Sequence, residues 1–200
     1  MMKKLITAIL SVTLFAAALT ASPFTAKVQA ASSKNAAADQ AYDRVRSSLL
    51  RKSSGVTYKY VDITGDGVHE FLAEYNPKIG GPARQVIYTY KKGKAKKVLS
   101  SKVYGLSSVI AYKKTKTLVF RGLGHGNEQY VYYKMKNGKY KKLASRARVA
   151  KAGGAITNGP WYYYNKSSQA VDKTTFSSLI SKAAKGKKKK YSVTKWTTIY

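Results

Sequence analysis

Apolar positions recur along this chain in three distinct registers, and each register predicts a different kind of element. Leu5 to Leu19 is an almost unbroken apolar run behind Lys3 and Lys4, and Val28-Gln29-Ala30 places small residues at the −3 and −1 positions of a cleavage site. That arrangement predicts a secretory leader over residues 1–30, because its apolar run is shorter than the roughly 20 residues that span a bilayer. Next, Ala38, Ala41, Tyr42, Val45 and Leu49 follow one another at helical spacing, with Gly55 beyond them as a stop. They predict a helix over about residues 37–52 with a single apolar face.

From Thr57 the period changes to two. Strands are predicted over 57–63, 70–76, 84–91, 96–101, 108–113, 117–122, 129–136 and 139–149, separated by turn formers such as Lys92-Gly93 and Asn137-Gly138. The Asn-Gly pair is the sharpest hairpin signal, because both residues accept positive φ. Gly153-Gly154 and Asn158-Gly159-Pro160 interrupt the series before a short aromatic strand over 161–164. A second helix is predicted over about 173–185, with Asp172 as its N-cap, Phe176, Leu179, Ile180 and Ala183 on one face and Gly186 as its stop. A final strand is expected over 191–199, with Val193 and Thr197 on one side and Trp196 on the other. Short strands joined by tight turns make an antiparallel meander. The predicted class is α+β: one domain over 31–200, a curved antiparallel β-meander with an N-terminal and a C-terminal helix packed on it.

Charge changes the picture more than length does. The 200 residues carry 38 Lys and Arg against eight Asp and Glu, a formal charge of +30. Removing Lys3, Lys4 and Lys27 with the leader lowers this to +27. There is no cysteine, so a lipoprotein anchor is excluded, and an exported chain without disulfides fits the exterior of a Gram-positive cell. Lysine outnumbers arginine 31 to 7. Hydrated point charges suit diffuse attraction to polyanions better than bidentate reading of bases. The densest run, Lys185, Lys187, Lys188, Lys189 and Lys190, is the candidate polyanion-binding segment; its plainer reading is a solvated loop. The 17 tyrosines often alternate with lysine, and core-filling strand residues explain them more simply than platforms for sugars or bases.

Four of the eight acids fall in one window, at Asp62, Asp66, Glu70 and Glu74. In D-I-T-G-D-G-V-H-E the side chains of Asp62, Thr64, Asp66 and Glu70 stand at positions 1, 3, 5 and 9, and the Val68 carbonyl at position 7. A hard cation takes about six to eight oxygens, so these five residues are the candidate calcium ligands. Ala73 stands where an EF-hand needs its bidentate Glu, and the flanks read as strands, so the expectation is a loop closing a β-hairpin. An Asp/Gly turn without metal, its carboxylates paired with lysines, is the open alternative.

The stretch D-I-T-G-D-G-V-H-E-F resembles the loops of FG-GAP and integrin-type propeller blades. It is closer to the D-I-N-G-D-G-x-x-E-L hairpins of uncharacterised secreted proteins of Gram-positive bacteria. Those proteins also tend to carry hairpins like Val86–Lys94 and Tyr130–Lys139 and a G-x-G-H-G element, here Gly122 to Gly126. The resemblance implies structural calcium at Asp62, Thr64, Asp66, Val68 and Glu70, weakened by Thr64 in place of Asn or Asp, and brings with it no established enzymatic activity.

Catalytic candidates are few. His125 sits among glycines with Glu128 three residues on, a pair capable of acid–base work on a wall polymer. There is no G-x-S-x-G, HExxH or nucleotide-binding glycine pattern. The expected function is therefore that of a secreted, noncatalytic, calcium-stabilised β-domain held at the cell envelope by anionic polymers. The alternatives are a wall-polymer hydrolase using His125 and Glu128, and a basic binder of nucleic acid or host glycan.

Overall fold

The computed structural model describes residues 23–78, 83–102, 105–124, 126–150, 159–192 and 197–199. Helix α1 spans Pro23–Arg51 and helix α2 spans Lys173–Ser181. Twelve strands complete the order: β1 Ser53–Val61, β2 Glu70–Pro77, β3 Arg84–Lys91, β4 Lys94–Lys102, β5 Leu106–Tyr112 and β6 Thr117–Gly124. They continue as β7 Asn127–Lys136, β8 Lys139–Val149, β9 Trp161–Asn165, β10 Ala170–Val171, β11 Lys189–Ser192 and β12 Thr197–Ile199. The class is α+β, as the periodicity predicts.

The meander is divided into two sheets. Sheet A has five strands in the order β12-β1-β2-β3-β4, and sheet B has seven in the order β10-β9-β8-β7-β6-β5-β11. The division follows from the side chains. On β2 and β3, Leu72 and Ile87 belong to one buried cluster while Phe71, Ala73 and Val86 belong to another. On β6 and β7, Leu118, Phe120, Val131 and Tyr133 face one way, whereas Val119 and Tyr132 face the other. Strands apolar on both faces need cover on both sides. The inner faces of the two sheets meet in the central core, α1 covers the outer face of sheet A through Tyr42 and Leu49, and α2 covers part of the outer face of sheet B through Phe176. The result is a four-layer sandwich of helix, sheet, sheet and helix. Most tyrosines lie within these layers: Tyr42, Tyr58, Tyr60 and Phe71 form one set of contacting rings under α1, with centroids 5.4–5.8 Å apart.

Three expectations change. Helix α1 begins at Pro23 and runs through Ala30, upstream of the predicted start near residue 37. Alanines at 26, 30, 31, 36 and 37 favour helix without supplying an apolar period. Helix α2 ends at Ser181 with Lys182 as C-cap, before Gly186. The predicted last strand is divided: Tyr191 lies on β11 beside β5 in sheet B, whereas Thr197–Ile199 pairs with β1 in sheet A. Val193 and Trp196 lie outside the described residues, as do Gly153, Gly154 and Asn158. The Asp172 N-cap holds, accepting from the Thr175 amide at 2.8 Å. None of the described helices is long and apolar enough to cross a membrane.

Two glycines separate backbone strain from steric exclusion. Gly138 has φ 72° in the β7–β8 turn, next to Asn137 at 51°, and a Cβ there would meet open space. Gly105 has φ 59°, and a Cβ there would fall inside the Leu123 carbonyl, where the Gly105 carbonyl already accepts the Leu123 amide at 2.6 Å. Gly138→Ala is expected to cost about 1 kcal/mol, from the left-handed backbone alone. Gly105→Ala adds overpacking and is expected to cost about 2–4 kcal/mol. Denaturant unfolding of the two variants checks the difference.

The acidic loop as candidate functional site

Strand β1 ends at Val61, which pairs with Glu70 at the start of β2. Residues 62–69 therefore close a hairpin between two strands, as the flanking pattern predicts. Gly65 and Gly67 take φ 83° and 82°, and each acid is drawn into a local turn. One Asp62 carboxylate oxygen accepts the Gly65 amide at 2.5 Å, and Asp66 accepts the Val68 amide at 3.0 Å. The second Asp62 oxygen holds the Lys113 ammonium at 3.0 Å.

Glu70 is the most constrained of the set. It is 1% exposed. Its Oε2 accepts the amides of Ile63 at 2.9 Å and Thr64 at 3.2 Å, while Oε1 accepts the hydroxyls of Thr64 at 3.1 Å and Thr89 at 3.4 Å. One carboxylate thus joins the start of the loop, its own strand and β3. Burial, with the nearby Asp66 charge adding to it, pushes the Glu70 carboxyl up to about 7 despite these donors. For Asp62 burial pulls upward as well, but Lys113 and the Gly65 amide outweigh it and hold the carboxyl below its ordinary range.

The rest of the loop is tied from two sides. From α1, the Asn35 amide nitrogen donates to the Gly67 carbonyl at 3.2 Å, and its oxygen accepts the His69 amide at 2.8 Å. The Tyr42 hydroxyl donates to the His69 carbonyl at 2.7 Å. From sheet B, the Tyr191 hydroxyl donates to the Asp62 carbonyl at 3.3 Å.

A calcium cage needs about six to eight oxygens converging on one point. Here Asp62 is shared with an ammonium, Glu70 is turned inward onto amides and hydroxyls, and Asp66 is folded onto Val68. Among the described residues no three His, Asp or Glu side chains form a metal-holding group. As arranged, Asp62, Thr64, Asp66, Val68 and Glu70 close a loop and do not fit a calcium cage. Spacing in the sequence counts the oxygens but does not say which way they point.

Basic residues flank the loop on both sides. A cleft of about 550 Å³ opens beside Thr64 and Asp66, and Lys91, Lys96, Lys97, Lys116 and Lys139 line it from three neighbouring turns and strands. None of these five lysines forms an ion pair among the described residues. A second concavity, of about 370 Å³, is lined by Lys113, Lys114, Lys187, Lys188 and Lys189. The expected polyanion segment is therefore partly strand: Lys189 and Lys190 belong to β11, which pairs with β5, and Lys185 to Lys190 are all exposed. The sequence did not bring in the cleft lysines, because they become neighbours only when the hairpins stack.

His125 lies outside the described residues. Glu128 is buried, with Arg121 on one carboxylate oxygen and Arg148 on the other at 2.8 Å and 2.6 Å. Burial raises its carboxyl, but the two guanidiniums prevail and hold it below the ordinary range. A proton-abstracting role for Glu128 would have to break both ion pairs.

No family model matches this chain, and the curated proteins and solved structures compared with it contain no match.

Glu70 sets a pH dependence. Between about 4.5 and 7 the folded chain holds a proton that the unfolded chain has released, so stability falls as pH rises through this window. The full effect is on the order of 3 kcal/mol. Asp62 and Glu128, held low, act in the opposite sense: their contributions are lost as pH falls below about 4. The melting temperature is expected to decline between pH 5 and pH 8, and Glu70→Gln is expected to flatten that decline.

Proposed function

We propose that this chain is a noncatalytic β-domain that works outside a Gram-positive cell and stays at the envelope by binding anionic polymers. The observation that carries the reading is the cleft of five lysines that have no ion-pair partner among the described residues, faced by Asp66 as its one lining carboxylate. Ammonium groups on flexible stems from separate hairpins suit a repeating anion such as a poly(glycerol phosphate) chain, whose charges need no fixed register. The lysines at 113, 114 and 187–189 extend the attraction beyond the cleft. The loop contributes a rigid floor. Its hairpin is closed by the chain's own donors, and a calcium ion would have to displace Lys113 from Asp62 and free Glu70 from the amides of Ile63 and Thr64.

The leader predicted over residues 1–30 and the absence of cysteine support export. The reading predicts that salt near 1 M, where screening shortens to about 3 Å, releases the protein from intact cells. Replacing Lys91, Lys96, Lys116 and Lys139 together by Ala is expected to weaken binding to poly(glycerol phosphate) by about tenfold or more, since each exposed pair is worth about 0.2–1 kcal/mol. Retention indifferent to salt, with undiminished binding by that variant, would contradict it.

A further inference from the structure

Three of the seven arginines, Arg121, Arg146 and Arg148, gather on the outer face of sheet B. Strands β6 to β9 are neighbours, and their register pairs Arg121 with Tyr130, Tyr130 with Arg146, Glu128 with Arg148 and Arg148 with Trp161. Residues directly opposite one another share a face, so these six side chains form two adjacent rows. Helix α2 covers the same face further along, where Phe176 meets Val119, Tyr132 and Ala144. The arginine rows lie at the margin of that cluster.

Within the rows, Glu128 is fully engaged by Arg121, Arg148 and the Tyr130 hydroxyl, the last at 3.0 Å. Arg146 is not. Its guanidinium lies 4.6 Å from the Tyr130 ring centre and 4.4 Å from that of Trp161. It has no hydrogen bond or ion pair among the described residues, and its Nε is buried without an acceptor. A buried donor without a partner is rare and costly. The two rings lie against the guanidinium, and its two Nη nitrogens, which unlike Nε are not buried, are the place for an acceptor. Among the described residues Glu128 pairs with Arg121 and Arg148 and not with Arg146.

We propose that Arg146, held by Tyr130 and Trp161 and backed by Arg121 and Arg148, binds one compact oxyanion, a phosphate or sulfate group. The planar fork of arginine matches the oxygen edge of a tetrahedral anion bidentately. Both rings already stack on guanidinium, Arg148 also lying 4.6 Å from Trp161, so this face suits an anion better than a stacking base or sugar. The site is separate from the lysine cleft. Glu128 and Arg148 stand at one end of the β7–β8 hairpin, and Gly138 and Lys139 at the other.

The test is calorimetric titration of the full chain with inorganic phosphate, sulfate and a phosphate monoester, in about 0.5 M NaCl to screen the lysines. Arg146→Met keeps an apolar stem against the rings, and Arg146→Lys keeps the charge without the fork. Both are expected to lose about tenfold or more in affinity, while the four-lysine variant binds phosphate as the parent does. Tighter binding of the monoester assigns an esterified source and tighter binding of the inorganic ion a free one; both results support the site. Equal binding by the parent and Arg146→Met, with both melting as folded proteins, overturns the proposal, as does a parent that binds none of the three anions. Polymer binding by the lysine cleft can stand or fall independently of these outcomes.

Discussion

A single buried carboxylate organises the end of the sandwich on which the basic surface lies. Glu70 takes two amides and two hydroxyls from its own loop and from β3. Removing it would leave two loop amides without acceptors inside the fold, at about 1–3 kcal/mol each. The loop it closes is the meeting point of three layers. Asn35 and Tyr42 hold it from α1, its strands belong to sheet A, and Lys113 and Tyr191 hold it from sheet B. The acids clustered in this window therefore act mainly as internal acceptors. Their charge is spread over amides, hydroxyls and one ammonium.

This arrangement also sets where the cations go. The loop separates the lysines of the cleft from those at 113, 114 and 187–189, and the Asp62–Lys113 pair anchors the second group against it. The arginines follow another rule. Arg121 and Arg148 share a buried acid, and Arg146 lies over the adjoining rings of Tyr130 and Trp161. Around the β7–β8 hairpin, the lysines of the cleft thus lie at one end and three of the seven arginines at the other. Lysine is well hydrated and flexible, arginine weakly hydrated and directional.

Local signals in the sequence were legible where local chemistry decides the structure. Asn137-Gly138 takes positive φ at both residues, Asp172 caps α2, and the 62–69 loop joins strands and not helices. What could not be read locally depends on pairing at long range. The partition into two sheets follows from which face of β2, β3, β6 and β7 each apolar residue takes, and a period of two does not say what lies opposite. The division of the last strand between β5 and β1 has the same origin. At the candidate site, the spacing of Asp62, Thr64, Asp66, Val68 and Glu70 counts five oxygen-bearing positions within one hairpin. It left open whether those oxygens face a common centre or the chain's own donors. The Arg146 site is spread over residues 121 to 161 and has no sequence motif at all.

The most direct test of the self-closed loop is a calcium titration of the ¹⁵N-labelled chain, following the amides of Ile63, Thr64, Gly65 and Val68. Ile63 and Thr64 donate to Glu70, Gly65 to Asp62 and Val68 to Asp66. The account predicts that these four signals stay in place up to ~1 mM calcium, the range in which extracellular calcium modules bind. Saturable shifts of all four in that range, abolished by Asp66→Ala, would mean that a cation replaces those donors, and would contradict it.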